Sequence, residues 1–187
     1  DQNMNPTYLA LDALFIRYLN LVKAEKNSLP TIAFDPPWPS PCTEETEQDS
    51  TNEDGALNWR PTKHNDVNIF KDLEKALEID FRDDLKHFYG SFWSNGICVE
   101  RDDINFSLIQ IWNEEDQEKL KENILGHAFS KQKSRQPLSF FIGCTFGDDI
   151  VCINHETGEI VLEKPGRKAH KTLAASLEEF LITLTPT

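Results

Sequence analysis

Apolar residues recur every three or four positions at Tyr8, Leu11, Phe15, Tyr18 and Val22. That spacing is one stripe of an α-helix. Asn5 offers an N-cap and Pro6 a proline at the first helical position, and the helix is predicted to stop near Asn27, ahead of Pro30. From Phe34 to Cys42 the chain carries Pro36, Pro37, Pro39 and Pro41 around Trp38. Prolines at that density exclude a helix interior and a central strand, so an extended loop is expected. Thr43 to Asp54 contains no apolar residue and reads as a mobile, acidic, solvated loop within the domain. Ile69, Phe70, Leu73, Ala76 and Leu77 then predict a helix over 66–79, capped by Asn65 or Asp66, and Asp83 to Tyr89 a further short one.

Strand patterning begins at Ile97. Ile104, Phe106, Leu108, Gln110 and Trp112 share one phase, and Ile109 and Ile111 join from the other, as in a strand that becomes buried on both sides. Asn113 precedes three carboxylates and predicts a cap for a helix to about Gln132, with acids where the helix dipole favours them. Leu138–Thr145, Ile150–Ile153 and Glu159–Glu163 are β-rich, the last two joined by a turn at 155–158. Ser176-Leu177-Glu178-Glu179 forms a capping box for a final helix burying Leu177, Phe180, Leu181 and Leu184. Helices followed by strands, with helices flanking them, argue for one α+β domain over 1–187 with a mixed, mostly antiparallel sheet. A chain of 187 residues buries roughly 70% of its extended surface and needs no disulfide or metal for a core.

Charge changes the picture. There are 19 basic and 32 acidic residues, a net charge of −13. Between Asp35 and Glu118 stand 21 acidic and seven basic residues, so the whole excess lies in one contiguous stretch. Such a field repels phosphate backbones, which disfavours nucleic acid, and it attracts basic partners. Anionic lipid headgroups repel it as well, so membrane attachment is expected through a basic protein rather than through lipid. No run of about 18 apolar residues and no secretory signal is visible, and an N-terminus lacking the initiator Met is expected to be trimmed.

Catalytic patterns are sparse. The eight glycines form no G-x-G-x-x-G or Walker loop, and no G-x-S-x-G elbow or H-E-x-x-H helix occurs. Cys42, Cys98, Cys144 and Cys152 have no metal-ligand spacing and read as reduced structural thiols, Cys144 and Cys152 as small hydrophobes in strands. His127 is the most tempting base, but the plainer reading is a helix-end histidine packed locally. Asp83-Asp84, Asp102-Asp103 and Asp148-Asp149 could each be named a catalytic dyad; a solvated acidic face is the default, since acid–base work needs a pocket. Neither cofactor nor metal is implied. Of Trp38, Trp59, Trp93 and Trp112, Trp38 is expected to be the most exposed and Trp112 to be core.

Several segments together resemble a known family. Leu108-Ile109-Gln110-Ile111-Trp112-Asn113-Glu114-Glu115-Asp116, running into Glu122-Asn123-Ile124-Leu125-Gly126-His127, resembles the signature of the Syd family. Pro39-Ser40-Pro41-Cys42 is similar to that family's Pro-Ser-Pro-Cys loop. Trp59-x-Pro61, His87-Phe88-Tyr89, Phe140-Phe141-Ile142, Gly166-Arg167-Lys168 and Leu173-Ala174-x-Ser176-Leu177-x-Glu179-Phe180-Leu181 follow in the family's order. The chain departs from the pattern near Ser94-Asn95-Gly96 and in a longer, more acidic 43–54 stretch.

The resemblance implies a fold of the SMI1/KNR4-like (SUKH) group, no enzymatic activity, and a peripheral place on the cytosolic face of the bacterial inner membrane beside a cytoplasmic pool. It implies binding of SecY, within the SecYEG translocon, through an acidic concave surface against basic cytosolic loops. Such loops are rich in Lys and Arg, which joins the charge argument. The candidate contact residues are Glu100, Asp102, Asp103, Glu114, Glu115 and Asp116, with Asp83 and Asp84 in second rank. Glu115 and Asp116 match the family's acidic helix start; the others rest on clustering of charge. An immunity protein that caps a basic toxin is the alternative on this fold, and a hydrolase built on a carboxylate pair is a second rival.

Overall fold

A computed structural model describes residues 4–33, 38–43 and 55–187. Helix α1 spans Pro6–Lys26, with Asn5 accepting from the backbone N–H groups of Thr7 and Tyr8, and it ends on Asn27 in the left-handed conformation. Strand β1 (Thr31–Ala33) pairs with β2 (Ala56–Asn58), and β3 (Thr62–Lys63) with β4 (Phe92–Trp93). Between β3 and β4 the chain forms α2 (Lys71–Leu77) and α3 (Asp83–Gly90).

The main sheet holds β5 (Ile97–Arg101), β6 (Ile104–Leu108), β7 (Ser139–Thr145), β8 (Ile150–Asn154), β9 (Ile160–Glu163) and β10 (Ala169–Ala174). These run as an antiparallel meander, and β11 (Thr185–Pro186) adds to the free side of β5. Helix α4 (Glu114–Lys133) crosses from β6 to β7, and α5 (Leu177–Thr183) from β10 to β11. The chain is thus α+β with a seven-stranded antiparallel sheet.

Burial follows sequence pattern where a strand has one solvated face. In β5, Ile97 and Val99 are buried while Cys98 and Glu100 are exposed. In β8 and β9 both phases are buried, from Val151 to Ile153 and from Ile160 to Glu163, as expected of central strands covered on both sides. The core joins Leu11, Leu14 and Phe15 of α1 to Leu85 and Phe88 of α3, Phe106 and Phe140 of the sheet, and Phe180 of α5. Phe106 stacks on Phe180 at 5.5 Å, and Phe15 meets Phe92 edge-on at 5.0 Å.

Four local expectations are corrected. The strand expected to run to Trp112 ends at Leu108: the Ile109 N–H still donates to the Ile142 carbonyl of β7, but residues 110–112 turn to contacts elsewhere, the Ser94 N–H donating to the Ile111 carbonyl and the Gln110 amide to the Phe88 carbonyl. The second helix starts at Lys71 rather than 66, because the Asp66 carboxylate accepts the Asn68 N–H in a tight local turn instead of capping a helix. Cys144 is exposed, since it lies on the solvated phase of β7, whereas Cys152 is buried. Thr43, at the start of the expected acidic loop, is buried in a 3₁₀ turn over Pro41–Thr43, its hydroxyl donating to the Ser40 carbonyl. Residues 44–54 of that loop lie outside the described residues.

Candidate docking cavity

The junction between β6 and α4 is held from three directions. The Asn113 side chain accepts the Asp116 N–H at 2.8 Å, capping α4, and its amide donates to the Pro39 carbonyl at 2.9 Å. The Asp116 carboxylate reaches back to accept the Trp112 N–H at 2.7 Å. Ser40, 3% exposed, donates to the Trp112 carbonyl at 2.7 Å and accepts the Cys42 N–H at 3.1 Å. Each bond satisfies a backbone group that the end of strand or helix would otherwise leave unpaired. Trp112 packs edge-on against Trp59, 5.8 Å between ring centres, which anchors this junction on the core.

Beside the junction lies a cavity of about 520 Å³, lined by Pro39, Ser40, Pro41, His64, Trp93, Asn113, Glu114 and Glu115. One wall is the proline loop and another the first turn of α4. The third is the β3–β4 pair, where the His64 ring packs at a tilt of 33° against Trp93, ring centres 3.8 Å apart. Burial lowers the His64 pKa, opposed by the Asp66 and Glu114 carboxylates and by Gln117. Burial thus favours the neutral imidazole beside Glu114 and Glu115, and among the described residues neither carboxylate makes an ion pair. Both carboxylates are exposed. Lys119 is drawn away over the Trp38 ring, 4.6 Å from its centre. An apolar aromatic wall facing two exposed carboxylates suits a lysine or arginine side chain, whose stem packs on the ring while its head pairs with the acids.

The other expected acids lie elsewhere. Asp102 and Asp103 make the two-residue turn of the β5–β6 hairpin, both with positive φ (50° and 65°), and with Glu100 they line a separate depression of about 390 Å³. Asp83 and Asp84 open α3. Asp84 pairs with Arg82 at 3.1 Å, and Asp83 accepts from the Asn5 amide at 3.3 Å. These two border a third hollow of about 430 Å³ with Ser176 and Glu178. The eight residues thus fall into three places: Glu114, Glu115 and Asp116 at the start of α4, Glu100, Asp102 and Asp103 at the hairpin, and Asp83 and Asp84 at α3. All except Asp84 and Asp116 are exposed, so a water-excluded catalytic dyad is not formed by them.

Sequence patterning offered Trp93 only as one of four tryptophans that could anchor an interface and did not join it to His64; the two meet at the cavity through the pairing of Thr62 with Trp93. It also missed a buried ion pair. Lys131 and Glu163, each 3% exposed, meet at 2.7 Å, and Ser139 donates to the other Glu163 oxygen at 2.9 Å. His127 lies 3.3 Å from the Ser139 hydroxyl and edge-on to Phe141, packed locally. His127, Cys152 and Glu163 are close enough to suggest a metal site, but the Lys131 ammonium already neutralises the carboxylate there. Burial also raises the Cys152 thiol pKa well above its ordinary value, away from the thiolate a metal requires.

The segments that build the cavity lie within a stretch of the chain that matches other proteins. The sequence profile described as Syd protein (SUKH-2) matches residues 8–186. Protein Syd of Hahella chejuensis is 46% identical over 148 residues, covering 79% of this chain and 75% of that protein. Protein Syd of Pseudoalteromonas atlantica is 35% identical over 181 residues, 95% of each chain, and that of Pseudoalteromonas translucida 35% over 177 residues, 94% and 97%. With its α+β fold and a match over nearly its whole length, the chain belongs to the Syd family.

Proposed function

We propose that the protein is a non-enzymatic binding module that docks on basic cytosolic loops of SecY in the SecYEG translocon and modulates its assembly or use. In this reading it sits peripherally on the cytosolic face of the inner membrane. The observation that carries the proposal is the cavity at the start of α4, where exposed Glu114 and Glu115 face the packed His64 and Trp93 rings. Family-like segments, the Pro-Ser-Pro-Cys loop and the Gln-x-Trp strand end, supply its frame through Ser40 and Asn113. Glu114 and Glu115 are the primary contacts. Asp116 acts through the frame, because its carboxylate is committed to the Trp112 N–H. Glu100, Asp102, Asp103, Asp83 and Asp84 contribute to the long-range field that steers a basic loop inward.

Charge reversal separates these roles. Glu114→Lys with Glu115→Lys is expected to slow association with SecYEG in proteoliposomes by about tenfold or more at low salt, while the lost dipole interaction at the start of α4 lowers stability only by about 1–2 kcal/mol and leaves the chain folded. An unchanged on-rate would move the contact away from this cavity. Capture of a basic secreted toxin in place of SecYEG would favour an immunity role on the same fold.

A further inference from the structure

Charge is segregated along α4. Its first turn holds Glu114, Glu115 and Asp116, and its last turn and exit hold Lys131, Lys133 and Arg135. The basic end is tied to the β9–β10 hairpin: the Lys131 ammonium donates to the Arg167 carbonyl at 2.9 Å, and the Gln136 amide to the Gly166 carbonyl at 2.9 Å. That hairpin adds Lys164, Arg167, Lys168 and Lys171 on the edge of the sheet, all exposed, as are Lys133 and Arg135. Acids are few here. Glu163 is consumed by Lys131, Asp149 is taken by His170 at 2.9 Å and Lys164 at 3.5 Å, and Asp148 remains exposed. One turn of α4 before Lys133, and on the same helix face, Phe129 is 48% exposed.

We infer that this basic end, formed by Lys133, Arg135, Arg167, Lys168 and Lys171 with Phe129 beside them, rests on anionic lipid headgroups. The net charge of −13 argues against lipid contact only if charges act together, and they do not. Helix α4 has 20 residues, which separates its acidic start from its basic end by about 30 Å. Screening at physiological salt acts over about 8 Å, so a surface touching the basic end is shielded from the acids at the other. Basic side chains beside an exposed aromatic suit the headgroup plane, where long stems snorkel and the ring enters the interface. A nucleic-acid duplex fits less well, because it would extend from this short patch toward the acidic excess. The inference is independent of the translocon reading, and the two are compatible: with only the basic end of α4 on lipid, the acidic end stands off the headgroups and is free to meet protein loops.

The test uses the full chain and vesicles free of protein. Cosedimentation is compared for vesicles rich in phosphatidylglycerol and for vesicles of phosphatidylcholine, at low and physiological salt. Binding is expected on the anionic vesicles only. It should fall by about tenfold or more in Arg167→Glu/Lys168→Glu/Lys171→Glu, given the contribution of each basic residue near an anionic surface. Lys133→Glu/Arg135→Glu, on a separate element, should produce a loss in the same direction if the hairpin variant fails to fold. Equal partitioning onto both vesicle types, or wild-type binding by both folded variants, would overturn the inference. So would binding to duplex DNA without binding to anionic vesicles. Because no SecYEG is present, failure here leaves the docking proposal standing.

Discussion

Glu114, Glu115 and Asp116 are consecutive acids with divided work. All three benefit from the dipole at the start of α4, but only Asp116 turns back to a backbone N–H, that of Trp112. The other two remain in solvent at the cavity rim. Spacing alone could place the trio at a helix start, since Asn113 is a strong local signal. It could not divide them, because the division depends on where the chain enters the helix. The Lys131–Glu163 pair is the opposite case, two charges 32 positions apart in sequence with no local signal for pairing. Removing one partner of such a pair strands the other in the core. Lys131→Met should therefore lower unfolding stability by about 3–5 kcal/mol in urea titration, and Lys131→Met/Glu163→Leu should recover much of it. A double variant less stable than the single one would contradict that account.

At the scale of elements, the segment carrying His64 and Asp66 lies directly on the end of α3. The His64 N–H donates to the Ser91 carbonyl and the Asp66 N–H to the Gly90 carbonyl, at 2.9 and 2.8 Å. Gly90 permits this approach: a Cβ there would stand 1.9 Å from the Asp66 carbonyl oxygen, a backbone atom that cannot swing aside. Gly90→Ala should force the β3–β4 region away from α3, lower stability by about 1–3 kcal/mol, and loosen the His64–Trp93 ring contact, visible as altered tryptophan fluorescence. Wild-type stability and fluorescence in that variant would mean that the approach is not required. Helices α1, α4 and α5 were legible because Asn5-Pro6, Asn113 and Ser176–Glu179 act on their own backbone neighbours. Strands β1 to β4, of two or three residues, carry too little alternation to be read. The run at 109–112 looked like strand because it is apolar, yet it is buried by partners from α3 and the proline loop. The carboxylates of the cavity could thus be anticipated, but its aromatic wall required tertiary pairing.

For the whole molecule, a single net charge conceals two ends of opposite sign, and two kinds of titration distinguish the core from the surface. His64, His127 and His155 all have pKa values lowered, chiefly by burial. On unfolding they recover the ordinary value near 6.5, so below that pH the unfolded chain binds more protons than the folded one. Stability should therefore fall as pH drops from about 7 toward 5, seen as a lower urea midpoint, with a shallower decline in His127→Asn. A midpoint constant or rising over that range would contradict the burial argument. Docking at the proposed Glu114–Glu115 site should respond to salt instead, because attraction between exposed charges acts through solvent. The most direct measurement is binding of the purified protein to SecYEG proteoliposomes and to empty liposomes at low and high salt. The account predicts a SecYEG-dependent component that weakens clearly as salt rises, over and above any binding to lipid alone; binding that gains nothing from SecYEG, or a SecYEG component indifferent to salt, would contradict it.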